Sequence, residues 1–418
     1  MTCNRKTIFL LLALVINLVL FGCQHTDPAL IASFFPLAAF RKGLSTPWIA
    51  TIFGTYDFSV FLISLSIPLI VNERNMHTIY FVAVSIAAVA LIIFGLLIQI
   101  EDLNVYLISN LITRTIGGFS NGIWIACGIP IITSIFSEKS SFIISLISGI
   151  QGLGVALGPL FGGALFRIGG FTLPFVFIGI TELILTIVSI IFTPTVTVNK
   201  AQSEIDSTER ENNSTSFLKK LKLVCLSLPY FNLLIYNSFR NAGIALFLER
   251  KFNVDEEGNF LYFSVYGFFC AAFSPVFGWL LQKGYTMIIF WISQICLSTT
   301  LLGFFLLSTS VFDSKYYVFL MFIMNAISYP GITSCSFMLI KNELRKDGNL
   351  SVETSHLRTA TLISIMRSAG RLFGSLVVAG FFLERFGFCN SCLGLFISTI
   401  SFLIINLAVL NKFSFAKI

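Results

Sequence analysis

Residues Gly149–Phe171 read GIQGLGVALGPLFGGALFRIGGF. The run is apolar enough to sit in a bilayer, yet glycine occupies positions 149, 152, 154, 158, 162, 163, 169 and 170, and Pro159 lies among them. In a water-soluble helix each interior Gly costs about 1 kcal/mol and a Pro about 3 kcal/mol. Between membrane helices small residues let backbones approach closely, and neighbouring helices re-satisfy the carbonyls that a Pro frees. Gly154, Gly158 and Gly162 repeat at i, i+4 and i+8 and make one smooth face. The stretch is a tightly packed membrane helix, and its glycine face is expected to meet the eighth span.

The rest of the chain agrees. Hydrophobic residues make up 56% and charged residues 11%, where soluble domains carry about 25% charged. The net charge of +7 is spread between apolar segments and points to no nucleic acid. Twelve apolar spans are expected, near 7–33, 48–71, 78–100, 106–130, 141–165, 173–193, 226–248, 260–282, 286–309, 316–340, 358–382 and 390–410. Each is long enough for a hydrocarbon core of about 30 Å. Residues 1–23 mimic a signal peptide, but apolar character returns at once, so they are read as part of a first span interrupted by Gln24, His25, Asp27 and Pro28. Residues 194–222 are polar and divide the chain into two halves, 1–193 and 223–418, joined by a linker. With both termini cytosolic, sixteen of the 27 Lys and Arg fall on the cytosolic side and seven on the other, as the positive-inside rule requires. The sequons at Asn212 and Asn213 then lie in the cytosol. The close pair Cys389 and Cys392 has no further ligands for zinc; it reads as two separate thiols or a small disulfide.

The halves echo each other. Pro68 and Pro275 end the second and eighth spans 207 residues apart. Gly370-x-x-x-Gly374-Ser375 echoes Gly154-x-x-x-Gly158-Pro159. The run Gly154-Val-Ala-Leu-Gly158-Pro159-Leu-Phe-Gly162-Gly163 resembles the fifth-helix antiporter motif of the major facilitator superfamily. Arg114-x-x-Gly117-Gly118-x-x-x-Gly122 resembles its fourth-helix arginine motif. That likeness implies an all-α polytopic membrane protein with twelve transmembrane helices in two six-helix halves related by a parallel repeat. Phe34-Phe35-Pro36-Leu-Ala38 through Lys42-Gly43-Leu-Ser45, Phe247-Leu-Glu249-Arg-Lys251-Phe252-Asn253 and Phe273-Ser274-Pro275-Val-Phe277-Gly278 are similar to the vesicular amine transporter family, especially its polyamine branch. The resemblance implies a proton-coupled antiporter of an organic cation, a polyamine or monoamine, in a vesicle, another endomembrane or the plasma membrane. It implies a monomer whose partners are a small-molecule substrate, protons and lipid, with no cofactor and no metal. The loop motifs depart from the pattern. Val71-Asn72-Glu73-Arg74-Asn75 keeps only the Glu73 and Arg74 charge pair. The second-half loop keeps Gly278, Lys283 and Gly284 but has Gln282 in place of an acid.

Seven charged residues interrupt the spans: Asp27, Asp57, Arg114, Glu182, Arg240, Arg367 and Arg371. A central charge in a bilayer costs about 2.5–3.5 kcal/mol on insertion scales, so each is expected to face protein or a water-filled cavity. Asp27, beside Gln24 and His25 on a cavity-lining helix, could exchange a proton for a substrate ammonium; Asp57 is the next candidate. Arg114, by its motif, joins the proton path. Glu182 has no role that the sequence specifies. His25 carries an imidazole whose ordinary range reaches vesicular pH, or is a lone interfacial histidine. Trp124, Tyr236 and Tyr329, with Tyr56, could hold an amine by cation–π contact, and Arg240 and Asn241 stand in the seventh span where an acid would suit a cation. Three acids against four arginines leave the set at +1, which favours a zwitterion or organic anion as the alternative substrate. A non-transporting sensor or scaffold with the same fold is the other alternative. No phosphate loop, metal cluster or nucleophile–base pair suggests an enzyme. Depth arithmetic predicts one contact. At 1.5 Å per residue Asp57 lies roughly 13 Å below the non-cytosolic edge and Arg371 about 11 Å below it, so the two are expected to pair, with Arg367 one turn nearer the cytosol.

Overall fold

A computed structural model describes residues 5–71, 75–135, 140–193, 217–309, 314–345 and 352–414. The described chain is helical almost throughout. The helices are α1 (Arg5–Gln24), α2 (Thr26–Arg41), α3 (Thr46–Ile70), α4 (Met76–Leu96), α5 (Leu103–Ser134), α6 (Ser140–Gly169), α7 (Thr172–Phe192), α8 (Phe217–Phe252), α9 (Glu256–Gln282), α10 (Thr286–Leu306), α11 (Lys315–Arg345), α12 (Val352–Phe373) and α13 (Leu383–Ser414). A π-helical segment, Gly374–Phe382, joins α12 to α13.

Among the described residues ten stretches are long and apolar enough to cross a membrane. The expected twelve passes map onto them with three adjustments. Helices α1 and α2 form one pass interrupted at His25, and this pass runs on to Arg41 rather than ending at Ser33. The 362–408 stretch is two passes, broken at Gly387, whose φ of 77° suits a residue without Cβ. Helix α8 has the length to span but is too polar over most of it to count among the ten. Cys389 and Cys392 in α13 are both free thiols.

The helices are inside-out relative to soluble ones. On α7, Phe177, Ile180, Ile184, Ile187 and Ile191 are exposed, while Glu182, Thr186 and Ser189 are buried at i, i+4 and i+7. On α5, Ile108, Ile112 and Ile116 face outward and Asn110, Thr113 and Arg114 inward. Apolar side chains facing outward and polar ones facing the bundle interior are what a lipid surround selects.

Two side-chain networks repeat between the halves. Asn17 of α1 donates to Thr193 Oγ1 (2.6 Å) and accepts from Ser189 (2.9 Å). Asn232 of α8 donates to Thr399 Oγ1 (2.6 Å) and accepts from Ser398 (2.8 Å). Each ties the first helix of a half to its sixth. Lys42 Nζ bonds the Ile98 carbonyl and Lys251 Nζ the Leu307 carbonyl, across the same separation of 56 residues.

The halves meet where α6 packs on α9, α3 on α12 and the π segment, and α2 on α8 and α9. The fifth span therefore does meet the eighth, but not by the expected glycine face. Gly158 faces Thr26, where an added Cβ would come within 2.9 Å of the Thr26 carbonyl, and Gly154 and Gly162 face the same pass. The α9 contact uses the adjacent face, with Gly152 against Ala271 and Gly163 against Phe260. The smooth stripe packs along the first pass on both sides of the interruption at His25.

Candidate functional site

The interruption at His25 restarts a helix inside the bundle. Pro28 falls in the first turn of α2, where its missing N–H would have had no partner in any case. Thr26 Oγ1 donates to the Cys23 carbonyl (2.7 Å), and His25 Nδ1 lies 2.8 Å from the Phe21 carbonyl. The His25 ring packs against Phe21 and Trp124, with centroids 4.8 and 5.2 Å away. Trp124 is 1% exposed. It packs in an apolar cluster of the N-terminal half with Phe21 and Ile131.

Asp27 opens the first turn of α2, and Glu182, on the polar stripe of α7, comes to meet it. The two carboxyl groups lie within electrostatic reach of each other inside the bundle. Asp27 Oδ1 and both Glu182 carboxylate oxygens are buried with no hydrogen-bond partner among the described residues. Glu182 is thus placed by the structure where sequence reading left it without a role. The signal was available: Glu182, Thr186 and Ser189 form a single polar stripe in an otherwise apolar span.

Beside Asp27 lies a cavity of about 30 Å³, whose polar lining is Gln24, Asp27, Tyr56, Thr113, Arg114 and Asn121. That is room for a water molecule rather than for an amine of several carbons. Arg114 lies over the Tyr56 ring at 4.0 Å, with Phe53 and Phe94 at 5.6 and 5.8 Å. Tyr56 is therefore occupied by the protein's own guanidinium and is not free for an amine. Asp57 and Asp27 lie within electrostatic reach of Arg114.

Asp57 and Arg371 meet, as their depths predict: Arg371 Nε lies 2.9 Å from Asp57 Oδ1, and Ser238 of α8 donates to Asp57 Oδ2 at 3.1 Å. Asp57 is 3% exposed. Arg367, one turn before Arg371, donates through Nε to the Tyr230 hydroxyl at 3.0 Å. In the C-terminal half Arg240 lies over the Tyr266 ring at 4.1 Å and donates through Nη2 to Asn241 Oδ1 at 3.0 Å. Tyr236 is fully buried, and Tyr329 packs edge-on to Tyr266.

Other candidates stay apart from this cluster. Lys283 is exposed and lies over Trp279 at 3.8 Å; Pro275 is exposed and Gly278 borders open space. Pro159 is buried within α6. Pro68 belongs to α3, and Glu73 and Arg74 lie outside the described residues. The sequence reading missed Arg41, which joins the halves at one end of the bundle: its Nε is 3.4 Å from Glu249 and its Nη1 2.5 Å from Glu256. The dipeptides Arg41-Lys42 and Arg250-Lys251, at corresponding places in the two halves, were the available signal.

The sequence profile of the Major Facilitator Superfamily matches residues 79–375. MFS-type transporter SLC18B1 of Rattus norvegicus is 25% identical over 284 residues, 67% of this chain and 59% of that protein. The Mus musculus protein of the same name is 26% identical with the same coverage. The chain thus spans 59% of the length of these curated relatives. A bacterial homolog of the human lysosomal transporter Spinster, solved in an inward-facing, unoccupied conformation, superposes with a TM-score of 0.68 at 16% identity, covering 98% of this chain and 96% of that one. A D-xylose-proton symporter gives 0.68 at 12% identity, covering 97% of each. At these identities the structural likeness is one of fold.

Proposed function

This chain belongs to the major facilitator superfamily, and from that premise we propose that it is a secondary transporter that exchanges a proton for an organic amine by alternating access. The observation that carries the reading is the Asp27–Glu182 carboxyl pair, buried at the break of the first pass and beside a water-sized cavity. A shared proton keeps the pair at one negative charge, which Arg114 offsets from electrostatic reach. An arriving ammonium supplies a second positive charge to the pair, and the proton is released. The interior then carries the same net charge loaded with either ion, so neither form is trapped by the desolvation of an excess charge.

The amine is supported by the loop motifs that resemble the vesicular amine transporter family. In this reading the N- and C-terminal halves rock about the contacts of α6 with α9 and α3 with α12. The Asp57–Arg371 pair is the lock on the Arg41 side, formed when that side is closed. By the distribution of Lys and Arg that side is the non-cytosolic one.

The test is uptake by the purified protein in liposomes under an imposed pH gradient, with labelled spermidine, a labelled monoamine and a labelled ω-amino acid as probes. Accumulation that follows the gradient and vanishes in Asp27→Asn is the expected result. Binding without uptake, at any gradient, would return the protein to the sensor or scaffold class.

A further inference from the structure

Helix α8 presents a turn of unpaired donors. Tyr236 Oη, Asn237 Nδ2, and Nε and Nη1 of Arg240 are all buried without a hydrogen-bond partner. The three residues are 0%, 7% and 3% exposed. Tyr236 and Arg240 are spaced i, i+4, and Asn237 and Arg240 i, i+3, so they share one face of the helix. The acceptor of the Asn237 amide is already engaged by Asn325 Nδ2 at 3.4 Å, which leaves its donor side unpaired. Unsatisfied buried donors are rare because each forfeits the hydrogen bonds it made to water.

The N-terminal half supplies an internal control. Arg114 and Arg240 occupy matching aromatic cages. Phe53 and Tyr56 flank the first, Phe263 and Tyr266 the second, with guanidinium-to-ring distances of 5.6 and 4.0 Å in one and 5.6 and 4.1 Å in the other. A third ring, Phe94 or Phe322, completes each cage. The surroundings differ in charge. Arg114 has Asp57 and Asp27 within electrostatic reach. Among the described residues Arg240 makes no ion pair, and its one hydrogen bond goes to the neutral amide of Asn241. A cage by itself is thus a structural device that the fold uses twice, but only one copy has its charge balanced by the chain.

We propose that Tyr236, Asn237 and Arg240 form an anion subsite that receives a carboxylate of the transported molecule. The proposal rests on the transport reading above and narrows its substrate to an amphoteric one. The ammonium goes to the Asp27–Glu182 pair in the N-terminal half, and the carboxylate goes to α8 in the C-terminal half. One unmatched guanidinium balances one negative charge. Donors from three side chains suit two oxygens with several lone-pair directions better than a monatomic ion. The same turn carries Ser238, which holds Asp57 in the Asp57–Arg371 pair. Parting of that pair releases the stretch of α8 that bears the subsite.

The experiment is thermal denaturation of the purified full-length protein in detergent, titrated with hexanoate, a series of ω-amino acids of three to eight carbons, spermidine and sodium chloride. Hexanoate and at least one ω-amino acid should raise Tm. Arg240→Gln should weaken both responses at least about tenfold, the loss of one charge-assisted bond. Asn237→Ala and Tyr236→Phe keep the charge and remove one donor each; weaker binding in either is expected, and they stand in if Arg240→Gln does not fold. Asp27→Asn should leave the hexanoate response unchanged. The proposal is overturned if no carboxylate probe shifts Tm, if the shift survives Arg240→Gln or the two donor deletions unchanged, or if chloride alone reproduces it. Binding in detergent needs no gradient. Failure of gradient-driven uptake with carboxylate binding intact would therefore reject the transport reading and leave the subsite standing.

Discussion

At the scale of single residues, the membrane interior of this protein is organised by charges that find one another. In the proposed exchange Asp27 and Glu182 share a proton, because neither can discard its charge to water. Glu182→Gln leaves Asp27 with a neutral partner, so it should move the pH profile of gradient-driven uptake between pH 5 and 8, where Asp27→Asn abolishes uptake altogether. An unchanged profile in Glu182→Gln would mean that the two carboxyls act independently. Asp57 and Arg371 form a pair of opposite sign, and the expectation there concerns stability. Removing one partner of a buried pair strands the other charge, at about 3–5 kcal/mol for full burial and less here because Arg371 is 28% exposed. Asp57→Asn and Arg371→Gln should each lower Tm by more than the double variant does. Equal or additive losses on thermal denaturation would show that the ion pair contributes little.

At the scale of elements, the motif glycines divide by what they touch. Gly158 sits against the Thr26 carbonyl and Gly278 against nothing within 4 Å. Gly158→Leu should therefore destabilise by about 1–3 kcal/mol through overpacking and abolish uptake, since it presses on the turn that carries Asp27. Gly278→Leu should fold with an unchanged Tm. Comparable Tm losses for both would mean that glycine is needed at these places for helix geometry and not for contact. The glycine stripe was legible in the sequence, because i, i+4, i+8 spacing defines a face. Its partner was not. The face of α6 turned to α9 is offset from the stripe by part of a turn, and only packing against the first pass decides that rotation.

At the scale of the whole molecule, the two halves are closed on each other at the Arg41 end. Arg41 reaches both Glu249 and Glu256, and Arg250 lies over Phe40 at 5.0 Å. The Arg41 side chain is 49% exposed, so each pair contributes about 1 kcal/mol or less. Arg41→Gln should raise hydrogen exchange in residues 42–45 and 253–255 several-fold and leave the core of α10 unaffected. Unchanged exchange in those loops would assign closure of this end to apolar packing alone.

The sequence by itself indicated the helices, their order, the duplication and the depths of Asp57 and Arg371. A helix advances by a constant 1.5 Å per residue, so span edges place Asp57 and Arg371 at similar depth, roughly 13 and 11 Å below the non-cytosolic edge. That is why the Asp57–Arg371 contact could be read in advance. Depth leaves open the rotation of each helix about its own axis and the choice of neighbour. In spans apolar on nearly every side, the chain offers little contrast from which to take that rotation. Packing alone therefore turned Glu182 onto Asp27, gave Tyr56 to Arg114 rather than to a ligand, and left Arg240 caged without an acid. The residues that carry charge were written along the chain, and the three-dimensional fold decided which of them pair.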